Sequence, residues 1–142
     1  GKILQVVETN YTTYASNSTN SFNTNMNVSI TPSATSSKIY VMVSAQLSKG
    51  TTGTEAVVRI FREVSSSVTA TRVMSDLFIW DNGNNNNAVS CVGQWLDSPS
   101  TTSAITYQFA WASYDDSNPI YINNYQAGGS HASQITAWEI GA

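Results

Sequence analysis

Charged residues are scarce in this sequence. They make up 11% of the 142 residues, whereas roughly a quarter of an ordinary soluble domain is charged. The formal net charge is −3, so the chain lacks the basic surface that attracts a phosphate backbone. Ser, Thr and Asn replace the charged residues and keep the surface hydrated without a strong electric field. We therefore expect no nucleic-acid partner.

Cysteine and long apolar runs are lacking as well. The single cysteine, Cys91, cannot form an intrachain disulfide, so stability must come from packing or assembly. No apolar run approaches the roughly 18 residues that span a bilayer, and the opening GKILQVVETN has no signal-peptide pattern. We predict no membrane insertion. The length predicts a single domain over residues 1–142. Because residue 1 is Gly and not Met, we expect that the chain was cut from a longer polypeptide or was processed.

Strands are predicted throughout, because β-branched residues recur while Ser, Thr, Asn and Gly interrupt the chain at short intervals. About eight strands are expected, at the spacing of an antiparallel sandwich or barrel. One of them is RVMSDLFIW, residues 72–80. The clearest is KIYVMVSAQL, residues 38–47, where alternate apolar residues share one face: Ile39, Val41, Val43, Ala45 and Leu47.

Aromatic residues predict both a core and a subunit interface. In AITYQFAW, residues 104–111, one face carries Ile105, Tyr107, Phe109 and Trp111. A lone two-sheet sandwich buries one face of each strand, yet several predicted strands carry large residues on both faces. We therefore expect an interface wall drawn from Tyr40, Met42, Phe61, Tyr107, Trp111 and Trp138.

The sequence offers little support for a catalytic function. Cys91 and the only histidine, His131, could form a nucleophilic pair, but Cys91 lies in an apolar strand pattern and His131 in a Gly-rich loop. None of the nine Asp and Glu residues forms a pair whose spacing demands the shared cleft of a glycosidase. We predict that the protein is not an enzyme.

Metal binding has one weak candidate. YDDSNP, residues 114–119, offers oxygen ligands for calcium from Asp115, Asp116 and Asn118. Turn-forming side chains explain the same stretch, and the full calcium-loop spacing is absent. We predict no metal and no other cofactor.

Two polar loops are the candidate recognition sites. WDNGNNNN places Trp80 beside amides and a carboxylate, and NNYQAGGSH adds a second such group. Aromatic faces next to amides suit the binding of sugars, and binding residues concentrate in loops on a rigid scaffold. The alternative is an ordinary solvated Asn turn with Trp80 in the core. The candidate receptor contacts are Trp80, Asp81, Asn82, Asn84, Asn85, Asn124, Tyr125, Gln126 and His131.

Several segments resemble a module found in tail-fibre and other virion structural proteins of tailed phages, especially marine ones. They are GKILQVV, SITPSATSSKIYVMVS, LDSPSTTSAITYQ, IYIN and ITAWEIGA, in that order from residue 1 to residue 142. The resemblance implies a β-rich homotrimer, usually at the C-terminal end of a longer virion protein and exposed on a fibre or surface. Residues 123–133 depart from that pattern, since NNYQAGGSHAS replaces an Arg- and Asp-bearing stretch.

We accordingly expect an all-β antiparallel sandwich of jelly-roll type that forms a homotrimer alongside other virion proteins. Its expected function is non-catalytic attachment to a bacterial surface glycan or outer-membrane protein, with specificity in the two polar loops. Two alternatives remain at this point. One is a purely structural module that trimerises a fibre or decorates a capsid, and the other is an enzyme that cleaves host polysaccharide.

Overall fold

The computed structural model describes residues 1–50, 55–65, 71–74, 76–80, 88–114, 117–124 and 132–142, with the side chains of 78–80 excepted. Eleven strands lie in this part of the chain, and eight of them contain four or more residues. The strands are β1 (Ile3–Tyr11), β2 (Ala15–Asn17), β3 (Asn23–Ile30), β4 (Lys38–Lys49), β5 (Glu55–Val64), β6 (Thr71–Arg72), β7 (Leu77–Trp80), β8 (Val89–Asp97), β9 (Ile105–Ser113), β10 (Ile120–Ile122) and β11 (Ser133–Ile140).

The strands form two antiparallel sheets. In the first sheet, β4 is central: β8 pairs with one edge, and β11 followed by β1 lies on the other, with the short strands β10 and β2 beside its C-terminal end. In the second sheet, β9 lies between β3 and β5, and β5 pairs on its far edge with β7 and β6. The sheets face each other across one apolar core, which makes the fold a β-sandwich.

Strand alternation builds the core as the sequence predicts. The five apolar residues at odd positions of β4, from Ile39 to Leu47, are at most 1% exposed. The aromatic stripe of β9 faces them from the second sheet, where Tyr107, Phe109 and Trp111 are at most 1% exposed. The prediction of an all-β antiparallel sandwich is therefore confirmed.

The predicted interface wall is wrong for two of its six residues. Tyr107 and Trp111 are fully buried in the core, because their strand β9 is the central strand of its sheet and turns them toward β4. The other four are half-buried on outer sheet faces: Tyr40, Met42, Phe61 and Trp138.

The predicted continuous strand over residues 72–80 is also wrong. The segment contains two short strands, β6 and β7, and between them Asp76 accepts hydrogen bonds from Arg59 and Arg72. Asp76 itself lies outside both strands. Met74, in the same stretch, packs into the core.

Two polar clusters link distant parts of the fold. Asp97 of β8 accepts hydrogen bonds from Arg62 of β5 at 2.9 Å and from the Tyr107 hydroxyl of β9 at 2.7 Å, so it joins the two sheets. Burial, followed by the bond to Asp97, raises the pKa of Tyr107. At the opposite edge, Glu139 of β11 is 1% exposed and accepts hydrogen bonds from Gln5 and Ser33.

Candidate functional site at the loop end of the sandwich

Strand ends that flank both polar loops lie near the C-terminal end of β4. Val89, the first residue of β8, lies opposite Leu47 near the end of β4, and Ile120 of β10 lies opposite Lys49. Trp80, the last residue of β7, lies opposite Glu55 at the start of β5. Since β5 follows β4 after a short connection, these strand ends share one end of the sandwich, which we call the loop end.

Most of the predicted receptor contacts lie outside the described residues. These are Asp81, Asn82, Asn84, Asn85, Tyr125, Gln126 and His131. Of Trp80 only the backbone is described, as the last residue of β7. The described residues that flank both loops all lie at the loop end, so the fold brings together the starting points of two loops that are far apart in sequence.

Asn123 fixes the start of the second loop. Its side chain is fully buried and donates to the carbonyl oxygens of Tyr11 at 2.7 Å and Thr13 at 3.2 Å. The side-chain amide oxygen of Asn123, Oδ1, accepts a hydrogen bond from the Ser133 hydroxyl at 2.8 Å. The backbone φ is 54°, a left-handed conformation that Asn adopts more readily than most residues. The sequence places Asn123 in the second polar loop and carries no signal for these hydrogen bonds to the end of β1 and the start of β11.

Asn124, one of the predicted contacts, is described in full. Its side-chain nitrogen donates to the Ser48 hydroxyl at 3.2 Å, and the residue is 8% exposed. The amide nitrogen is thus engaged inside the fold, next to the end of β4. Its role in receptor contact stays a prediction.

Of the residues considered for catalysis and metal binding, Cys91 and Asn118 are described, whereas His131, Asp115 and Asp116 lie outside the described residues. Cys91 is 6% exposed, and burial raises the pKa of its thiol to about 11, so the thiol is neutral at physiological pH. Asp115 and Asp116 are not among the described residues, and the Asn118 amide lies 3.4 Å from the Ser117 hydroxyl. Within the described ranges, no three His, Cys, Asp or Glu side chains lie close enough together to hold a metal.

A groove on the outer face of the second sheet lies beside the loop end. Its volume is about 530 Å³. Four segments form it: the C-terminal end of β9, the first half of β5, the segment before β3 and the segment before β7. Its walls include Asn20, Phe22, Val57, Arg59, Asp76 and Tyr114.

An ion pair forms the polar wall of this groove. The Arg59 guanidinium donates from Nε and Nη2 to the two carboxylate oxygens of Asp76, at 2.6 and 2.8 Å, and Arg72 adds a bond of 3.2 Å. The Arg59 hydrogen bond lowers the pKa of Asp76; burial opposes it, and the charges of Arg59 and Arg72 lower it further. Asp76 is therefore an ionised hydrogen-bond acceptor at neutral pH.

Aromatic rings form the other walls. The Arg59 guanidinium lies 4.2 Å from the centre of the Phe22 ring, and Phe22 meets Phe61 edge to face. Tyr114 is 60% exposed. No sequence motif indicated this groove, because its residues come from four separated segments and meet only through the order of the strands.

Together, the fold and the site define an all-β sandwich in which the strand ends that flank both polar loops lie near one end, next to a mixed polar and aromatic groove. The part of the chain described by the structure has no helix long and apolar enough to cross a membrane. No protein-family model matches the sequence, and no curated protein does.

Three solved structures are similar to this chain at a low level. The VP2 subviral particle of infectious bursal disease virus has a TM-score of 0.47 and 10% identity over 95% of this chain. The structure of the Gx strain of that virus has a TM-score of 0.47 and 10% identity over 97% of this chain. The T=1 particles derived from a mutant VP2 have a TM-score of 0.43 and 9% identity over 96% of this chain. This chain spans 37%, 37% and 36% of those chains, respectively. These values are too low to assign a family or a function.

Proposed function

We propose that this chain is a non-catalytic attachment module of a tailed-phage virion, exposed on a fibre or surface appendage. It binds a bacterial surface glycan or outer-membrane protein through the loop end. The observation that carries the proposal is that both polar loops start from one end of a rigid sandwich. The ordered sequence resemblance to phage fibre modules supports the virion origin.

The strand order supports a jelly roll as the finer description of the fold. Among the eight strands of four or more residues, the first pairs with the eighth, the second with the seventh, the third with the sixth and the fourth with the fifth. This nesting is what results when a long antiparallel ribbon is rolled into two four-stranded sheets. Jelly rolls of eight strands are common in viral and lectin domains.

An apolar row on the outer face of the first sheet supports assembly. It crosses four strands through cross-strand neighbours Val6, Trp138, Tyr40 and Leu96, and the rings of Tyr40 and Trp138 lie 5.4 Å apart. Val6 is 51% exposed and Leu96 47%. Contiguous exposed apolar residues mark interaction surfaces, and we assign this row to the interface of a homotrimer. The number three comes from the sequence resemblance.

A homotrimer would present three loop ends to one cell. Linked sites raise the effective concentration of each contact, so a weak single-site affinity becomes strong attachment. This explains how loops rich in neutral amides, with few charges, can hold a virion on its host.

The test is adsorption of virus to susceptible bacteria in the presence of the labelled, purified chain. We expect saturable binding to cells and competition with whole virus. We expect Trp80→Ala and Tyr125→Ala to weaken this competition at least about tenfold, since aromatic anchors dominate binding interfaces. Trp95→Ala is the matched control, because Trp95 is 41% exposed but lies toward the opposite end of β8.

The second candidate function is a purely structural module, which the apolar row favours equally. In that case an assembled chain would not bind cells, and the Trp80 and Tyr125 variants would leave adsorption unchanged. That result would contradict receptor recognition while leaving the assembly interface in place.

A further inference from the structure

We propose that the groove between Phe22, Arg59, Asp76 and Tyr114 binds one uncharged sugar residue through a pair of neighbouring hydroxyl groups. The proposal rests on the proposed function for the source of the sugar, a host glycan. The described residues that line the groove are not among the predicted receptor contacts. Its volume of about 530 Å³ is that of a site for a small molecule.

The polar wall presents a donor beside an acceptor. Guanidinium has five N–H groups and a carboxylate has about four lone-pair positions. The ion pair uses two N–H groups of Arg59, and the bonds to Asp76 use two positions on Oδ1 and one on Oδ2. The pair therefore retains further N–H groups next to a further acceptor position. Each hydroxyl of a sugar both donates and accepts, so two adjacent hydroxyls match this arrangement.

The polar wall is also pre-organised. Arg59 is fixed by two short hydrogen bonds and by the Phe22 ring beneath it. Its side chain is 27% exposed and that of Asp76 is 20% exposed, so both groups reach solvent while their orientation is held. A ligand that meets a fixed donor and acceptor loses less free energy to side-chain ordering.

The exposed ring of Tyr114 supplies the apolar contact. Tyr114 follows the last residue of β9, and its backbone N–H is held by the carbonyl oxygen of Glu55 at 3.0 Å. The side chain is 60% exposed at the groove. The C–H face of a pyranose ring packs on such an aromatic surface while its hydroxyl groups reach the ion pair.

The carboxylate of Asp76 disfavours an anionic ligand. Asp76 accepts hydrogen bonds from Arg59 and Arg72, and it lies in the wall of the groove, where it would repel a bound anion. Asp76 already occupies the Nε and Nη2 edge of the Arg59 guanidinium, which is one of its two positions for two-point binding of a carboxylate. Acidic sugars are therefore expected to bind more weakly than uncharged ones.

The experiment is a titration of the ¹⁵N-labelled chain with methyl glycosides of glucose, galactose, mannose and rhamnose, followed by the backbone N–H signals. Methyl glucuronide serves as the anionic probe. We expect saturable shifts at Phe22, Arg59 and Tyr114 with at least one uncharged glycoside. We expect Tyr114→Ala to weaken that binding about tenfold, and Arg59→Lys to weaken it through loss of the planar two-point geometry.

Tyr14→Ala is the matched control. Tyr14 is 45% exposed and stacks on Tyr121 beside the first sheet, with ring centres 5.8 Å apart. This variant is expected to leave glycoside binding unchanged. Absence of groove shifts with every uncharged glycoside would overturn the proposal, as would tighter binding of methyl glucuronide or equal effects of the Tyr114 and Tyr14 variants.

The adsorption assay separates this proposal from the proposed function. Cell binding that is unaffected by Tyr114→Ala, with no glycoside in the groove, would overturn the groove and leave receptor recognition standing. Glycoside binding in the groove by a chain that does not bind cells would overturn receptor recognition and leave the groove standing.

Discussion

At the scale of single residues, Glu139 is a buried carboxylate that hydrogen bonds keep ionised. Its oxygens accept hydrogen bonds from Gln5 Nε2 at 2.7 Å, from the Ser33 backbone N–H at 2.7 Å and from the Ser33 hydroxyl at 2.6 Å. Burial raises its pKa, but the hydrogen bonds from Ser33 and Gln5 prevail and lower it to about 2. Glu139 thereby ties β1 and the β3–β4 connection to β11.

This arrangement predicts a loss of stability in acid. The ordinary pKa is 4.5 and the folded-state value is about 2, so the contribution of Glu139 is complete above pH 4.5. It is lost as the pH falls from there through about 2, because protonation then favours the unfolded chain. We expect Glu139→Gln to lower the free energy of unfolding by about 2 kcal/mol at pH 7 and to flatten its pH dependence in this range.

Urea unfolding at several pH values, followed by tryptophan fluorescence, measures both effects. Glu8→Gln is the control, since Glu8 is exposed on β1 and accepts only a bond of 3.2 Å from Gln134 among the described contacts. An unchanged acid slope in the Glu139 variant would show that other carboxyl groups cause the loss.

At the scale of elements, the turn after β10 depends on the backbone of Asn123. Asn123→Ala and Asn123→Gly both remove its three side-chain hydrogen bonds. Only glycine adopts the φ of 54° without strain. We therefore expect the Ala variant to be less stable than the Gly variant by about 1 kcal/mol, as measured by thermal or urea unfolding.

The same pair of variants at Ser100 isolates the backbone contribution. Ser100 is exposed and has a φ of 53°. We expect a similar difference between Ala and Gly there. Both Asn123 variants should in addition be less stable than the native chain, because they leave the loop anchor unbonded. Equal stabilities of the Ala and Gly variants would rule out a conformational requirement at Asn123.

Sequence patterns predict those elements whose local alternation agrees with their burial. In β4 the alternate residues from Ile39 to Leu47 define the buried face, and in β9 the aromatic stripe defines the opposite wall. The strand β2 was not predicted because Ala15, Ser16 and Asn17 show no apolar alternation, and backbone pairing with β10 alone forms it. Local patterns also cannot tell a core aromatic residue such as Trp111 from one on an outer face.

The candidate site, like the fold, was predictable only where local sequence features define it. The two polar loops stand out in the sequence by composition, but their common end of the sandwich depends on strand order. The groove was not predictable, since Arg59 and Asp76 are 17 residues apart and Tyr114 belongs to a third segment. Long-range pairing of β5 with β7 and β9 brings them together.

At the scale of the whole molecule, the proposed trimer depends on the apolar row. We expect the native chain to sediment as a trimer at micromolar concentrations. Leu96→Lys should shift it to monomer, because a charged group buried within an apolar interface is costly to desolvate. Leu77→Lys is the control, since Leu77 is 39% exposed on the second sheet. A native chain that sediments as a monomer would contradict the assembly.

The strand β4 carries residues of both surfaces that we propose, the assembly row and the loop end. Tyr40 belongs to the apolar row, while Leu47 and Ser48 contact the flanks of the two polar loops. Tyr40 and Leu47 are seven residue steps apart along the extended strand, which corresponds to about 23 Å. Under the proposed assembly, mutation of the loops can therefore change the host that is recognised without disturbing the contacts between subunits. Host range and particle integrity become traits that selection can alter independently.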